Sequence, residues 1–394
     1  MVPFTFEQAR ACVLKNARRG QEQEMVCLSD AAGSVLAEDV SADRDYPPFP
    51  RSARDGFAVR AADLPGELRV TGEVRAGEIF PGSIGAGETV EIMTGAPLPA
   101  GADAVVMIEH TMRSGNTIRT DRSLKPGDNF TPQGAESPKG QAVIRAGRRI
   151  GFAEVAALAM VGCDSVPVYR KPRIAILPTG DEIVEAGESP QAFQIRNSNA
   201  LSLAAQVQRA GGIPEVLPIA RDNHASTRAA IERGLEADLL LLSGGVSAGK
   251  YDIVEKVLAE LGAQFFFDRV LIQPGQPLVY GFMGERQFFG LPGNPASTMV
   301  TFEVFARAAV ELLGGEAEPL LPLMRARLTK DFRHKAGLTR FLPAHLNANG
   351  ASVEPLSWRG SGDVPSLARA NAFLVAEPER EAWVAGDDIR VLLK

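Results

Sequence analysis

From residue 172 the chain repeats one pattern: a short apolar run, a loop of glycine and small polar residues, then a helical segment. The runs at 173–177, 213–219, 239–242, 264–271, 278–282 and 287–291 read as strands. Segments 198–210, 223–235, 252–262 and 295–313 read as helices. Strands alternating with helices predict an α/β protein whose doubly wound, mostly parallel sheet carries helices on both faces. Leu239–Leu242, apolar at every position, fits such a sheet.

The flanking stretches have another texture. Residues 5–19 read as an amphipathic helix with Phe6, Ala9, Val13 and Leu14 on one side. Glycine and proline then punctuate 41–145, with alternating runs such as Thr89–Met93, which predicts a β-rich region. A helix follows at 152–161, closed by Gly162. Beyond a linker at Gly314–Pro319, residues 320–394 read as short strands and turns with a brief helical stretch near 364–370, a small β-domain.

Composition narrows the function. A chain of 394 residues with 45% hydrophobic and 23% charged residues has material for several cores and is not disordered. Net charge is −6, which argues against a general nucleic-acid binder. Cys12, Cys27 and Cys163 are too scattered for a disulfide framework or a zinc ribbon. The N-terminus lacks a signal-peptide core, and no apolar run is long enough to span a membrane. A cytoplasmic protein with reduced thiols is expected.

Ligands of open α/β sheets bind beyond the carboxyl ends of the strands. Three strand ends carry unusual loops here: Pro178-Thr-Gly-Asp-Glu182, Ser243-Gly-Gly-Val-Ser-Ala-Gly-Lys-Tyr-Asp252 and Leu291-Pro-Gly-Asn-Pro-Ala-Ser297. Glycines admit close backbone approach and helix N-termini attract anions, so these loops together describe a pocket for a phosphorylated ligand. The second loop comes near a Walker A motif, but Tyr251 stands where the Mg²⁺-binding Ser or Thr belongs. Singly, Asp181, Glu182 and Asp252 have ordinary readings as capping or solvated acids. Asp222 adds a carboxylate at the same edge. Several acids facing a phosphate pocket point to Mg²⁺. Outside the sheet, Asp55-Gly56 reads as a turn and Thr94-Gly95 as a strand end.

Six segments occur in order: Arg51–Ala58, Ile92–Pro97, Gly101–Val106, Pro178–Glu182, Ser243–Asp252 and Gly290–Ser297. Together they resemble the molybdopterin molybdenumtransferase family (MoeA, and the E domain of gephyrin-like proteins) over essentially the whole chain. The resemblance implies a discontinuous N-terminal domain (1–41 and 145–171), an inserted β-rich domain (42–144), the α/β molybdopterin-binding domain (172–317) and a C-terminal β-domain (318–394). It also implies a homodimer whose active-site cleft lies between the α/β domain of one subunit and the inserted domain of the other. The implied reaction inserts molybdate into adenylylated molybdopterin with Mg²⁺ and releases AMP.

Carried over residue by residue, the resemblance makes Glu182, Asp55 and Thr94 catalytic, with Asp222, Asp252 and Glu182 near the metal. Gly244, Gly245 and Ser247 match the phosphate loop, and Pro292, Pro295 and Ser297 the loop lining the pterin and oxyanion region. Arg340 and Ser361 match C-terminal positions facing the cleft. The implied partners are an enzyme that adenylylates molybdopterin and the proteins that carry or receive the finished cofactor. No membrane partner is implied.

Three departures stand out. Gln273-Pro-Gly-Gln276-Pro replaces a family Lys-Pro-Gly-Lys-Pro, so two positive charges that would favour molybdate become neutral amides that still donate hydrogen bonds. Weaker oxyanion binding follows unless Arg340, Lys250 or Arg269 compensates. Arg54 stands where an apolar residue is common, and Asn223 where a second acid is common. The glutamines leave open a paralogue that uses another oxyanion such as tungstate, or a molybdopterin carrier or scaffold without insertion activity.

Overall fold

The computed structural model describes residues 2–245 and 253–394. Its centre is a six-stranded sheet in the spatial order Ile213–Val216, Arg173–Pro178, Leu239–Ser243, Arg286–Leu291, Pro277–Met283, Gln264–Arg269. The first four strands are parallel, and Pro277–Met283 runs antiparallel to both of its neighbours. Successive side chains of a strand point to opposite faces. Leu239 and Leu241 accordingly enter one core and Leu240 and Leu242 another. Helices cover both faces, so a strand with no polar position buries all of its side chains usefully.

The chain leaves Arg173–Pro178, moves outward to Ile213–Val216, and returns past its start to Leu239–Ser243. That reversal is a topological switch point, where loops diverge and open a crevice.

Most predicted elements appear within a few residues of their expected limits. Helix α1 spans Phe6–Asn16. Thr5 caps it reciprocally: Gln8 N–H donates to Thr5 Oγ1 (3.2 Å) and Thr5 N–H to Gln8 Oε1 (2.9 Å). Phe6, Ala9 and Val13 bury its inner face in the α/β core. Phe6 meets Phe305 and Phe341 edge-on, at ring separations of 5.7 and 5.4 Å, and so joins the central sheet to the C-terminal strands. Helix α2 spans Phe152–Met160, and nearby Gln23–Cys27 pairs antiparallel with Ser165–Tyr169.

One helix departs from expectation. The predicted 295–313 helix is broken into Pro295–Thr301, a π-helical Phe302–Ala306 and Arg307–Leu313. Glu303 on the wide turn is buried, accepts from Gln206 Nε2 (2.7 Å) and pairs with Arg209 (2.5 Å). A π segment adds a residue to one turn and re-aims the side chains on it.

The stretch between α1 and α2 holds a six-stranded mixed sheet in which Gly56–Val59 lies between Ala104–Met107 and Glu88–Ile92. Gly56 is a strand residue rather than the turn its Asp-Gly sequence suggested. A Cβ there would lie 2.0 Å from Val106 O, so the neighbouring backbone excludes every other residue.

Near the C-terminus, Thr339–Leu346 pairs with both Ser352–Pro355 and Ala372–Ala376, closing five strands into a barrel. Ile272–Gln273 adds alongside, with Gln273 in parallel register with Arg340. Closure removes the exposed edges that short strands would otherwise present. Among the described residues no helix is long and apolar enough to cross a membrane, and Cys12, Cys27 and Cys163 are free thiols.

Candidate active site

A cleft of about 860 Å³ opens at the switch point. All three loops singled out in the sequence line it: Pro178–Gly180 with Glu182, Ser243–Gly245, and Pro292–Pro295 with Ser297. Asp222 lies on its wall. Of the expected site residues, Glu182, Asp222, Gly244, Gly245, Pro292, Pro295 and Ser297 therefore share one cavity. Ser247, Lys250 and Asp252 lie outside the described residues.

The acidic side is built from two loops that hold each other. Asp181 N–H donates to Asp222 Oδ2 (3.3 Å), and Asp222 N–H to Asp181 Oδ1 (3.2 Å). Arg221 Nη1 donates to the carbonyls of Asp181 and Ile183, at 3.2 and 3.3 Å. Glu182 folds back over Gly180, whose φ is +140°, and a Cβ at that glycine would sit 2.6 Å from Glu182 Oε2. The glycine thus makes room for the carboxylate. Asn223 is the N-cap of helix α4 (His224–Gly234) and accepts from Ser226 N–H (2.9 Å), which gives the amide at this position a structural role.

A further polar part of the lining was largely missed in the sequence. Helix α3 (Ser198–Arg209) starts at the cleft, with buried Asn197 as its cap. Asn199 reaches the ends of two strands, donating through Nδ2 to Ser243 Oγ (3.1 Å) and Gly293 O (2.8 Å). Arg196 and Lys256 also line the cleft, Arg196 on a two-residue strand paired with Ile183–Val184, next to Glu182. The available signal was Asn197-Ser-Asn199 beginning a helix at the ligand edge. Thr179 Oγ1 is buried with no hydrogen-bond partner among the described residues. It lies 3.1 and 3.0 Å from where Cβ atoms on Gly244 and Gly245 would stand. Those glycines, at φ +97° and +65°, keep its surroundings open.

Several expected residues lie beside the cleft rather than in its lining. Gln273 and Gln276 are not among the lining residues, although the adjoining Pro277 is. Gly275 packs so closely on the following helix that a Cβ would sit 2.4 Å from Thr301 Cγ2. The Arg340 guanidinium, level with Gln273, donates through Nη2 to Lys335 O (3.1 Å), while its buried Nε has no partner among the described residues. Burial lowers its pKa from the ordinary value, yet arginine stays charged. Ser361 O accepts from Ala296 N–H (2.9 Å), which brings this barrel-side loop against Pro295 and Ser297.

Asp55 and Thr94 form their own pair, outside this lining. Asp55 Oδ1 accepts from both Thr94 N–H (2.6 Å) and Thr94 Oγ1 (2.8 Å). These bonds, the backbone one first, hold the Asp55 carboxyl below its ordinary range. A depressed folded pKa supports the fold above the unfolded value, and that support is lost as pH falls through the folded pKa. Thr94→Val removes one donor and keeps the other. We expect the Asp55 pKa to move part of the way up toward the ordinary carboxylate range, read by carbon NMR of the side chain. An unchanged pKa would show that the hydroxyl contributes nothing.

Comparison with known proteins agrees with this architecture. The model for the MoeA N-terminal region (domain I and II) matches residues 4–162. That for a probable molybdopterin binding domain matches 175–312, and that for the MoeA C-terminal region (domain IV) matches 325–394. The molybdopterin molybdenumtransferase of Bacillus subtilis (strain 168) is 35% identical over 99% of this chain and 94% of its own. That of Staphylococcus epidermidis (strain ATCC 12228 / FDA PCI 1200) is 33% identical over 93% and 90%. The molybdopterin biosynthesis moeA protein of Pyrococcus horikoshii OT3 superposes with a TM-score of 0.83 at 28% identity, covering 100% of both chains. With motifs, fold, cleft and full-length relatives in agreement, this chain belongs to the MoeA family of molybdopterin molybdenumtransferases.

Proposed function

We propose that the chain inserts molybdate into adenylylated molybdopterin and releases AMP, a step of molybdenum cofactor biosynthesis. The carrying observation is one cleft at the switch point that combines glycine-rich strand ends, two carboxylates and cationic side chains. The transferase relatives support this reading over that of a carrier or of a paralogue using another oxyanion.

Among the described residues Glu182 and Asp222 are the cleft carboxylates available to Mg²⁺, with Asp252 outside them. Among the described residues no three His, Cys, Asp or Glu side chains converge on a metal position. That donor set fits Mg²⁺, which is held by one or two carboxylates together with substrate phosphates rather than by a protein cage. When bound, the ion supplies charge neutralisation at the pyrophosphate. The protein's own part is positioning. Gly244 and Gly245 let the backbone approach a phosphate, the Asp181–Asp222 clamp fixes the acidic wall, and Arg196 and Lys256 draw the anion in. The dithiolene sulfurs that receive molybdenum belong to the pterin, so no protein thiol is needed. Asp55 and Thr94 complete the site from the second subunit of a homodimer in this reading. The adenylylating enzyme upstream, a recipient of the cofactor downstream and a cytoplasmic location belong to the same proposal, as does the division into four domains.

Reconstitution tests it. Purified protein given adenylylated molybdopterin, molybdate and Mg²⁺ should release AMP and yield active cofactor, and chelation should stop both. Restoring charge by Gln273→Lys with Gln276→Lys should lower the half-saturating molybdate concentration about tenfold, the scale of one charge-assisted hydrogen bond. Metal-independent AMP release, or cofactor formation without it, would reject the scheme.

A further inference from the structure

We infer that Asn199 is a positioning residue that makes the Ser243 hydroxyl a hydrogen-bond donor to a phosphate group in the cleft. This rests on the reading that the cleft binds a phosphorylated ligand. The orientation of the Asn199 amide follows from its surroundings. Gly293 O lies 2.8 Å from the amide and can only accept, so the group facing it must be the NH₂. The same nitrogen lies 3.1 Å from Ser243 Oγ, which therefore receives the second N–H. A hydroxyl that accepts at its oxygen has its own proton free for another acceptor. Ser243 is buried at the strand end and lines the cleft, and none of its protein bonds among the described residues uses that proton. With no acceptor for it among the described residues, that proton is available to a ligand oxygen.

A second observation points to the same place. Thr179, on the adjacent parallel strand end, is only 5% exposed, and its hydroxyl has no partner among the described residues. Thr179 N–H donates to Ser243 O (3.2 Å), so the two hydroxyl residues are direct neighbours at the cleft floor. A buried hydroxyl without a partner is costly unless a ligand satisfies it. A phosphate accepts from two donors at once, and Gly244 and Gly245 leave the approach clear. Asn199 also fixes the start of α3 to two strand ends, so one side chain sets the spacing of three cleft elements.

The test is a double-mutant cycle in the full-length protein, read by calorimetry with two probes, molybdopterin and AMP, which carry the two candidate phosphates. Ser243→Ala and Asn199→Ala should each weaken binding of at least one probe about tenfold. The double variant should be little worse than Ser243→Ala alone, because Asn199 acts through that hydroxyl; independent sites would multiply. Asn199→Asp keeps the shape but offers Ser243 an acceptor that captures its proton. It should bind as weakly as Asn199→Ala or more weakly. The folded fraction of every variant is checked by thermal unfolding, and Thr120→Ser serves as a control for a buried hydroxyl position outside the cleft lining. Multiplicative losses, or native affinity for both probes in Ser243→Ala, would overturn the inference while leaving the proposed function standing. Native protein that binds neither probe would instead remove the proposed function, and this inference with it.

Discussion

Glu182→Gln should cut Mg²⁺-dependent AMP release by about 10²–10³-fold, the usual scale for losing one electrostatic group aimed at a reacting phosphate or carbonyl. Molybdopterin binding should weaken only several-fold. The substitution is isosteric, so it removes charge and leaves the loop its shape. The two cleft carboxylates among the described residues differ in their attachments. Asp222 is bound to Asp181 N–H across the loop clamp, so part of its capacity is structural. Glu182 is carried over Gly180 with no hydrogen bond to its carboxylate described, which suits a group that engages substrate or metal. Asp181→Asn is the companion variant, because Asp181 belongs to the clamp and is not in the cleft lining. It should cost far less than Glu182→Gln. The measurement is single-turnover AMP release at saturating Mg²⁺. Near-native turnover in Glu182→Gln would transfer the catalytic assignment to another group.

Mixing two inactive variants should restore activity. Asp55→Asn alone and Glu182→Gln alone are each expected to be nearly inactive. Asp55 belongs to the sheet region of 42–144 and Glu182 to the α/β region, and the Asp55–Thr94 pair lies outside the cleft that Glu182 lines. If partner subunits complete each other's sites, a mixed dimer carries one site with both native acids and one with neither. Random exchange makes half of all dimers mixed, each with one good site in two, so activity should recover to about a quarter of native. Subunits are co-unfolded and refolded together, and AMP release is compared with that of each variant refolded alone. No recovery would place both residues in one subunit's site and remove the shared cleft from the proposed function.

Local residue order determined much of this protein. The apolar run Leu239–Leu242, the glycine-rich strand ends and the helical spacing of 198–210 were enough to place a switch-point pocket, because burial period and turn chemistry are properties of neighbours in sequence. Six motifs in order carried the family. The cleft then gathered Glu182, Asp222, Gly244, Gly245, Pro292, Pro295 and Ser297 from segments over a hundred residues apart, as the strand ends required.

Tertiary structure alone decided the rest, and the reason is register. Asn199 is an ordinary early-helix residue until two remote strand ends bring Ser243 and Gly293 to its amide. Gly56 reads as a turn until Val106 O occupies the place of its Cβ. Gln273 meets Arg340 only because a two-residue strand joins the barrel edge. The π segment at 302–306 carries buried Glu303, whose partners Gln206 and Arg209 lie on another helix. Periodicity reports which face of an element is buried, whereas the identity of the atoms opposite it is set by long-range pairing. That pairing turned a recognisable pocket into a cleft with a held acidic wall and a hydroxyl floor.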